Sequence, residues 1–164
     1  MKDIQNTFIE KLHECNQHKN RLLSAKKHLQ EYIPIDKSRY AQFNDIDMGF
    51  VDQMIFRFSK LQDTMGEKLF PSLLELMGEE VKSKPFIDRL NRIEELGILY
   101  KNEWMNLRKD RNEIAHEYSF NQDEVIDGIN LIFNSAEKLI SIYYTFYNYC
   151  EERFEFVRNS KVLV

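Results

Sequence analysis

Residues 100–118 read YKNEWMNLRKDRNEIAHEY. Tyr100, Trp104, Leu107, Arg111, Ile114 and Tyr118 follow one another at spacings of 4, 3, 4, 3 and 4. That is the recurrence of one face of an α-helix, where residues three and four apart lie side by side. Five of the six are apolar or aromatic, so this side is expected to be buried, and Arg111 lies in phase with it. An unpaired buried charge is costly, so an arginine there calls for a partner or lines a cleft. The alternative is an arginine that snorkels past its neighbours to a surface carboxylate.

The same helical spacing runs outward in both directions. Ile4, Phe8, Leu12, Cys15, Leu22, Leu29 and Ile33 predict one long amphipathic helix, with Lys19 and Lys26 interposed in the same phase and Pro34 ending it. Residues 34–45 read as a connector. Asp45 or Asp47 is the expected cap of a second helix carrying Val51, Met54, Ile55, Phe58, Leu61, Met65, Leu69 and Leu73, which Pro71 should kink or break. Pro85 at a first helical position and Gly97 at a C-terminal cap bound a short third helix. The helix of residues 100–118 is the fourth. Asn121 and Glu124 form an N-x-x-E capping signature that opens a long last helix. Its aromatic run of Tyr143, Tyr144, Phe146, Tyr147 and Tyr149 covers more than one face, which requires either two buried sides or one side against another subunit. The expected fold is all-α: an up-and-down bundle of four to five helices in a single domain over 1–158, with 159–164 as a C-terminal tail.

Composition agrees with this class. The chain has 164 residues, 43% of them hydrophobic, with only five Gly and three Pro. The net charge of −4 excludes a general nucleic-acid coat, which is ordinarily basic. The charge is uneven: residues 1–40 hold eight Lys/Arg against five Asp/Glu, leaving seven net negative charges on the remainder. A solvated face is the ordinary meaning of such an excess, although a basic first helix could also face a phosphate backbone. Cys15 and Cys150 lack metal-like spacing and read as small core side chains. No apolar run reaches the ~18 residues of a membrane span, and MKDIQNTF lacks a signal peptide's apolar region, so a cytoplasmic location is expected.

Three residues near the end of the fourth helix suit a reaction on RNA. His116 lies about 140° round an ideal helix from Arg111, whereas Asn112 and His116, four apart, share a face. Cleavage of RNA by its own 2′-hydroxyl needs a proton acceptor, a proton donor and positive charge at the phosphate. Histidine titrates near neutral pH and serves either proton role, and arginine supplies a permanent charge and a donor fork. No metal or other cofactor is called for. One chain supplies one histidine to this set while two proton roles must be filled, so a two-fold homodimer with both copies across one cleft is the expected unit. His13, His18 and His28 read as structural.

The segment RNEIAHEY, Arg111 to Tyr118, resembles the R-x4-H-x-Y motif of HEPN domains, in particular those encoded beside minimal nucleotidyltransferases as toxin–antitoxin pairs. Arg111, His116 and Tyr118 match the motif positions, and Asn112 matches the polar residue that follows the arginine. The likeness extends over residues 1–155 as a helical bundle, but only the motif is specific. It implies a toxin that is a metal-independent endoribonuclease, cutting RNA such as tRNA or mRNA in a dimer-interface cleft. Arg111 and His116 would then be catalytic and Asn112 supporting. Tyr118 would accept AMP from the cognate nucleotidyltransferase antitoxin; read from the spacing alone, it continues the apolar stripe as a core aromatic. Two other functions stay open: a non-catalytic substrate- or nucleotide-binding subunit of a nucleotidyltransferase, and a purely structural helical interaction protein.

Overall fold

A computed structural model describes residues 2–114 and 120–163. Among these residues all regular secondary structure is helical. In chain order the helices are α1 (Lys2–Leu29), α2 (Lys37–Ala41), α3 (Asp45–Thr64), α4 (Phe70–Leu76), α5 (Phe86–Glu95), α6 (Lys101–Glu113), α7 (Gln122–Arg153) and α8 (Glu155–Ser160). The all-α class read from the spacing therefore holds, with the short α2 and α8 added to it.

The start and stop chemistry is local, and most of it was visible in the sequence. α1 gives way at Leu29 to a short 3-10 turn, Gln30–Tyr32, just before Pro34. The cap of α3 is Asn44 rather than either aspartate. Its side chain accepts the backbone N–H of Asp47 while Asp47 accepts that of Asn44, the reciprocal arrangement of a capping box. Pro85 caps α5 from one position before the helix, and Gly97 follows its end at φ +79°. Asn121 accepts the N–H groups of Asp123 and Glu124 at the start of α7, as the sequence predicted.

The second long helix loses regular α geometry just ahead of Pro71, as expected of a proline within it. A π turn over Met65–Leu69 joins α3 to α4, and the Phe70 N–H bonds to the Met65 carbonyl five residues back. The wider turn leaves Pro71 in the first turn of α4, where a missing N–H has little to lose. The connector 34–45 likewise holds α2, capped by the Asp36 side chain on the Arg39 N–H.

α1 packs along α3 more extensively than any other pair of helices, and α7 contacts α1, α3 and α6. An aromatic chain crosses this interior. Phe8 of α1 meets Phe146 of α7 at 6.3 Å between ring centres, Phe146 meets Phe70 of α4 at 5.7 Å, and Phe70 meets Trp104 of α6 at 4.8 Å. All four rings are fully buried. Tyr143 and Tyr147 are buried too, with the Tyr143 hydroxyl donating to the Leu12 carbonyl. Tyr144 is partly exposed and takes the ammonium of Lys19 over its ring at 5.0 Å. The aromatic excess of the last helix is thus largely absorbed by two sides packed within this chain, and is not an argument for a subunit interface. Beyond residue 158 the chain stays attached: α8 runs through Ser160, Val162 is buried, and its carbonyl accepts from Asn16.

Candidate functional site

The stripe from Tyr100 to Ile114 has two ends of different character. Trp104, Leu107 and Ile114 are buried as predicted, but Tyr100 is 71% exposed at the cap position of α6, which corrects its assignment to the buried side. Arg111 lies between Leu107 and Ile114 with about a third of its side chain exposed. Its Nε donates to Asp63 Oδ1 at 3.2 Å and its Nη2 to Asp63 Oδ2 at 3.0 Å. The hydrogen bond to Asp63, then the carboxylate's charge, raise the guanidinium's affinity for its proton still further. Both readings of the arginine meet here, since it is paired with a carboxylate and also lines a cleft.

That cleft, about 530 Å³, has the size of a small-molecule site. The end of α3 contributes Gln62 and Asp63, the π turn Gly66 and Glu67, the start of α5 Phe86 and Arg89, and α6 Arg108, Arg111 and Asn112. Gly66 sits where the π turn meets Trp104 of α6 and Phe86 of α5. A Cβ there would lie 3.3 Å from Trp104 Cζ2, tighter than ordinary contact, and 3.7 Å from Phe86 Cε2, an ordinary one. The tryptophan that ends the aromatic chain thus lies directly behind Gly66 of the cleft lining.

Three arginines face two carboxylates in this space, so its walls carry one net positive charge on a chain that is acidic overall. The Arg108 guanidinium stands 4.7 Å from the centre of the Phe86 ring, a cation–π distance. Gln62 is only 3% exposed, and its amide oxygen and nitrogen are both buried without a hydrogen-bond partner. The Nε of Arg89 is in the same condition. Buried polar groups are almost always bonded, so two side chains left unbonded around one cleft need an explanation.

Of the predicted site residues, Arg111 and Asn112 come together in this cleft. His116 and Tyr118 lie outside the described residues. The other histidines have structural roles or none: His13 is exposed, His18 accepts from Arg57 on its Nδ1 at 2.8 Å, and His28 bonds Asp47 at 2.8 Å while stacked on Phe50. Cys15 and Cys150 are fully buried, and burial pushes both thiols far up. Sequence reasoning missed Gln62, Asp63 and Arg89. Gln62 could have been found, because it falls between Phe58 and Met65 on the apolar phase of α3. Asp63 has no such signal, since a carboxylate 48 residues from its arginine is identified only by folding.

Among the described residues no group of three His, Cys, Asp or Glu is placed to hold a metal ion. No helix among the described residues is long and apolar enough to cross a membrane. No protein-family model, curated protein or solved structure matches this chain.

Proposed function

We propose that this chain is a HEPN-type toxin: a metal-independent endoribonuclease, acting as a homodimer and silenced by a cognate minimal nucleotidyltransferase. The observation that carries the reading is the placement of Arg111. It lines a positively charged cleft beside Asn112, five residues before His116. In this mechanism His116 takes the proton of an RNA 2′-hydroxyl, and the 2′-oxygen attacks the adjacent phosphorus. The bond from phosphorus to the 5′-oxygen breaks, and His116 of a second copy returns a proton to that oxygen. The products are a 2′,3′-cyclic phosphate and a 5′-hydroxyl. Arg111 offsets the charge that gathers on the phosphoryl oxygens, and Asn112 supports it. Silencing follows when AMP passes from ATP to the Tyr118 hydroxyl oxygen and pyrophosphate leaves. The added bulk and negative charge then oppose entry of a polyanion.

One observation favours a second reading. Asp63 already engages two of the five N–H donors that a guanidinium carries, which leaves Arg111 less free to stabilise a transition state and so favours a non-catalytic, nucleotide-binding subunit of a nucleotidyltransferase. The experiment that separates the two uses the purified chain, total RNA and a chelator. Fragments ending in cyclic phosphate should appear, and Arg111→Ala and His116→Ala should each reduce cleavage at least 100-fold, the scale of a lost proton-transfer or charge-stabilising group. Both variants should retain the wild-type circular dichroism spectrum. Undiminished cleavage by both would remove the catalytic assignment, and tight binding to a nucleotidyltransferase without any cleavage would establish the second reading. Sedimentation tests the dimer, which a fully active, monodisperse monomer would overturn.

A further inference from the structure

The ribonuclease reading uses only the Arg111 end of the cleft and leaves its remaining wall unexplained. That wall holds the Gln62 amide, buried with neither of its polar atoms bonded. It also holds Phe86 with the Arg108 guanidinium over its ring, and Arg89 with an unbonded, buried Nε. A bare phosphate would explain the arginines, but it has no use for an amide that offers one donor face and one acceptor face. A planar, heterocyclic group with its own donors and acceptors matches that pair. Flat faces for such a group are supplied by aromatic and guanidinium planes, as in single-stranded nucleic-acid sites.

We propose that this cleft is a nucleotide subsite, in which Gln62 reads the edge of one base, Phe86 and Arg108 provide its stacking surface, and Arg111 and Arg89 hold the attached phosphate. The inference rests on the phosphate role given to Arg111 above. It adds that recognition is selective for the base beside that phosphate. Selectivity follows from the chemistry of burial: a base with the wrong edge leaves Gln62 unbonded, whereas one with the matching edge satisfies both amide atoms at once.

The test is equilibrium binding by the full chain of the four nucleoside 5′-monophosphates and of inorganic phosphate. Trp104 is the sole tryptophan and lies directly behind Gly66, so its fluorescence reports on the cleft, with calorimetry as a second readout. The expected result is a ranking of the four nucleotides across about tenfold, the best of them binding at least tenfold tighter than inorganic phosphate. Gln62→Met should compress the ranking to within about threefold and leave phosphate affinity unchanged. Gln62→Glu, which keeps acceptors and removes donors, should reorder the ranking. Arg108→Met should weaken all four nucleotides about tenfold. Phosphate binding as tightly as any nucleotide, or a ranking that survives both Gln62 variants, would overturn the subsite. Base-ranked binding by a chain that cuts no RNA would uphold the subsite while removing the ribonuclease reading. RNA cleavage without base-ranked binding would do the reverse.

Discussion

Gln62 is a residue at which this protein gives up stability. Two polar atoms shut away from water without partners cost roughly 1–3 kcal/mol, whereas an apolar side chain of similar length in the same place costs nothing of that kind. Gln62→Met should therefore raise stability by about 1–2 kcal/mol, read as a melting temperature several degrees higher. A lower melting temperature would mean that the amide is bonded within the folded chain and bears no relation to the cleft. Arg111 is the opposite case: its pair with Asp63 is about one-third exposed, so breaking it should cost well under 1 kcal/mol of folding. A loss of activity in Arg111→Ala is then a loss of function rather than of fold. At this scale the sequence was half legible. Periodicity alone marked Arg111 as out of place on a buried stripe, because the spacing of a single helix contains that information. Its partner Asp63 sits on another helix among polar neighbours, and nothing within α3 distinguishes it from a solvated carboxylate.

Helix boundaries were the most legible feature, since caps are written in adjacent residues. Asn121 before α7 and Gly97 after α5 act as predicted because each satisfies groups within four positions of itself. Gly97→Ala should cost about 1–2 kcal/mol, as a Cβ at φ +79° meets the neighbouring backbone, and urea unfolding would measure it. Wild-type stability in that variant would show that the C-terminal turn of α5 rearranges freely. Pro71 was legible as a disturbance of its helix, but the form the disturbance takes was not. A proline predicts trouble for an α-helical turn, but a helix can widen by one residue ahead of it, and whether it does depends on what packs there. Here the widened turn carries Gly66 against Trp104 and leaves Glu67 facing the cleft. The long aromatic run of α7 was legible as a burial problem, but which body covered each side depended on the positions of α1 and α8.

For the whole molecule, the pH dependence of folding should show two separate steps in acid. His18 is held neutral by burial first and by the adjacent Arg57 charge second, against the opposing pull of Glu14, and Lys60 adds to the lowering. Its folded pKa lies below the ordinary 6.5, so in the window between them the unfolded chain binds a proton that the folded chain refuses. Stability should be complete above about pH 6.5 and fall as the pH drops through that window. His18→Gln should flatten this part of the curve, and an unchanged slope would exclude His18 as its source. Asp47 gives the second step. Its carboxyl is held below its ordinary 3.8, by the His28 hydrogen bond first and the Asn44 backbone second. The stability it contributes is present above that value and is lost as the pH falls through the lower, folded one.

The Arg111–Asp63 fork has a further consequence for a protein whose surface is acidic on the whole. The cleft at rest already contains an anion, and that anion is covalently part of the wall. Any incoming group has to outcompete a tethered carboxylate whose local concentration never falls. Monovalent salt ions, which offer one diffuse charge and no fork geometry, gain little by that exchange, whereas a phosphodiester presents two oxygens at the spacing the guanidinium prefers. Asp63 thus acts as a threshold, keeping the arginine occupied until a ligand with the right pair of acceptors arrives.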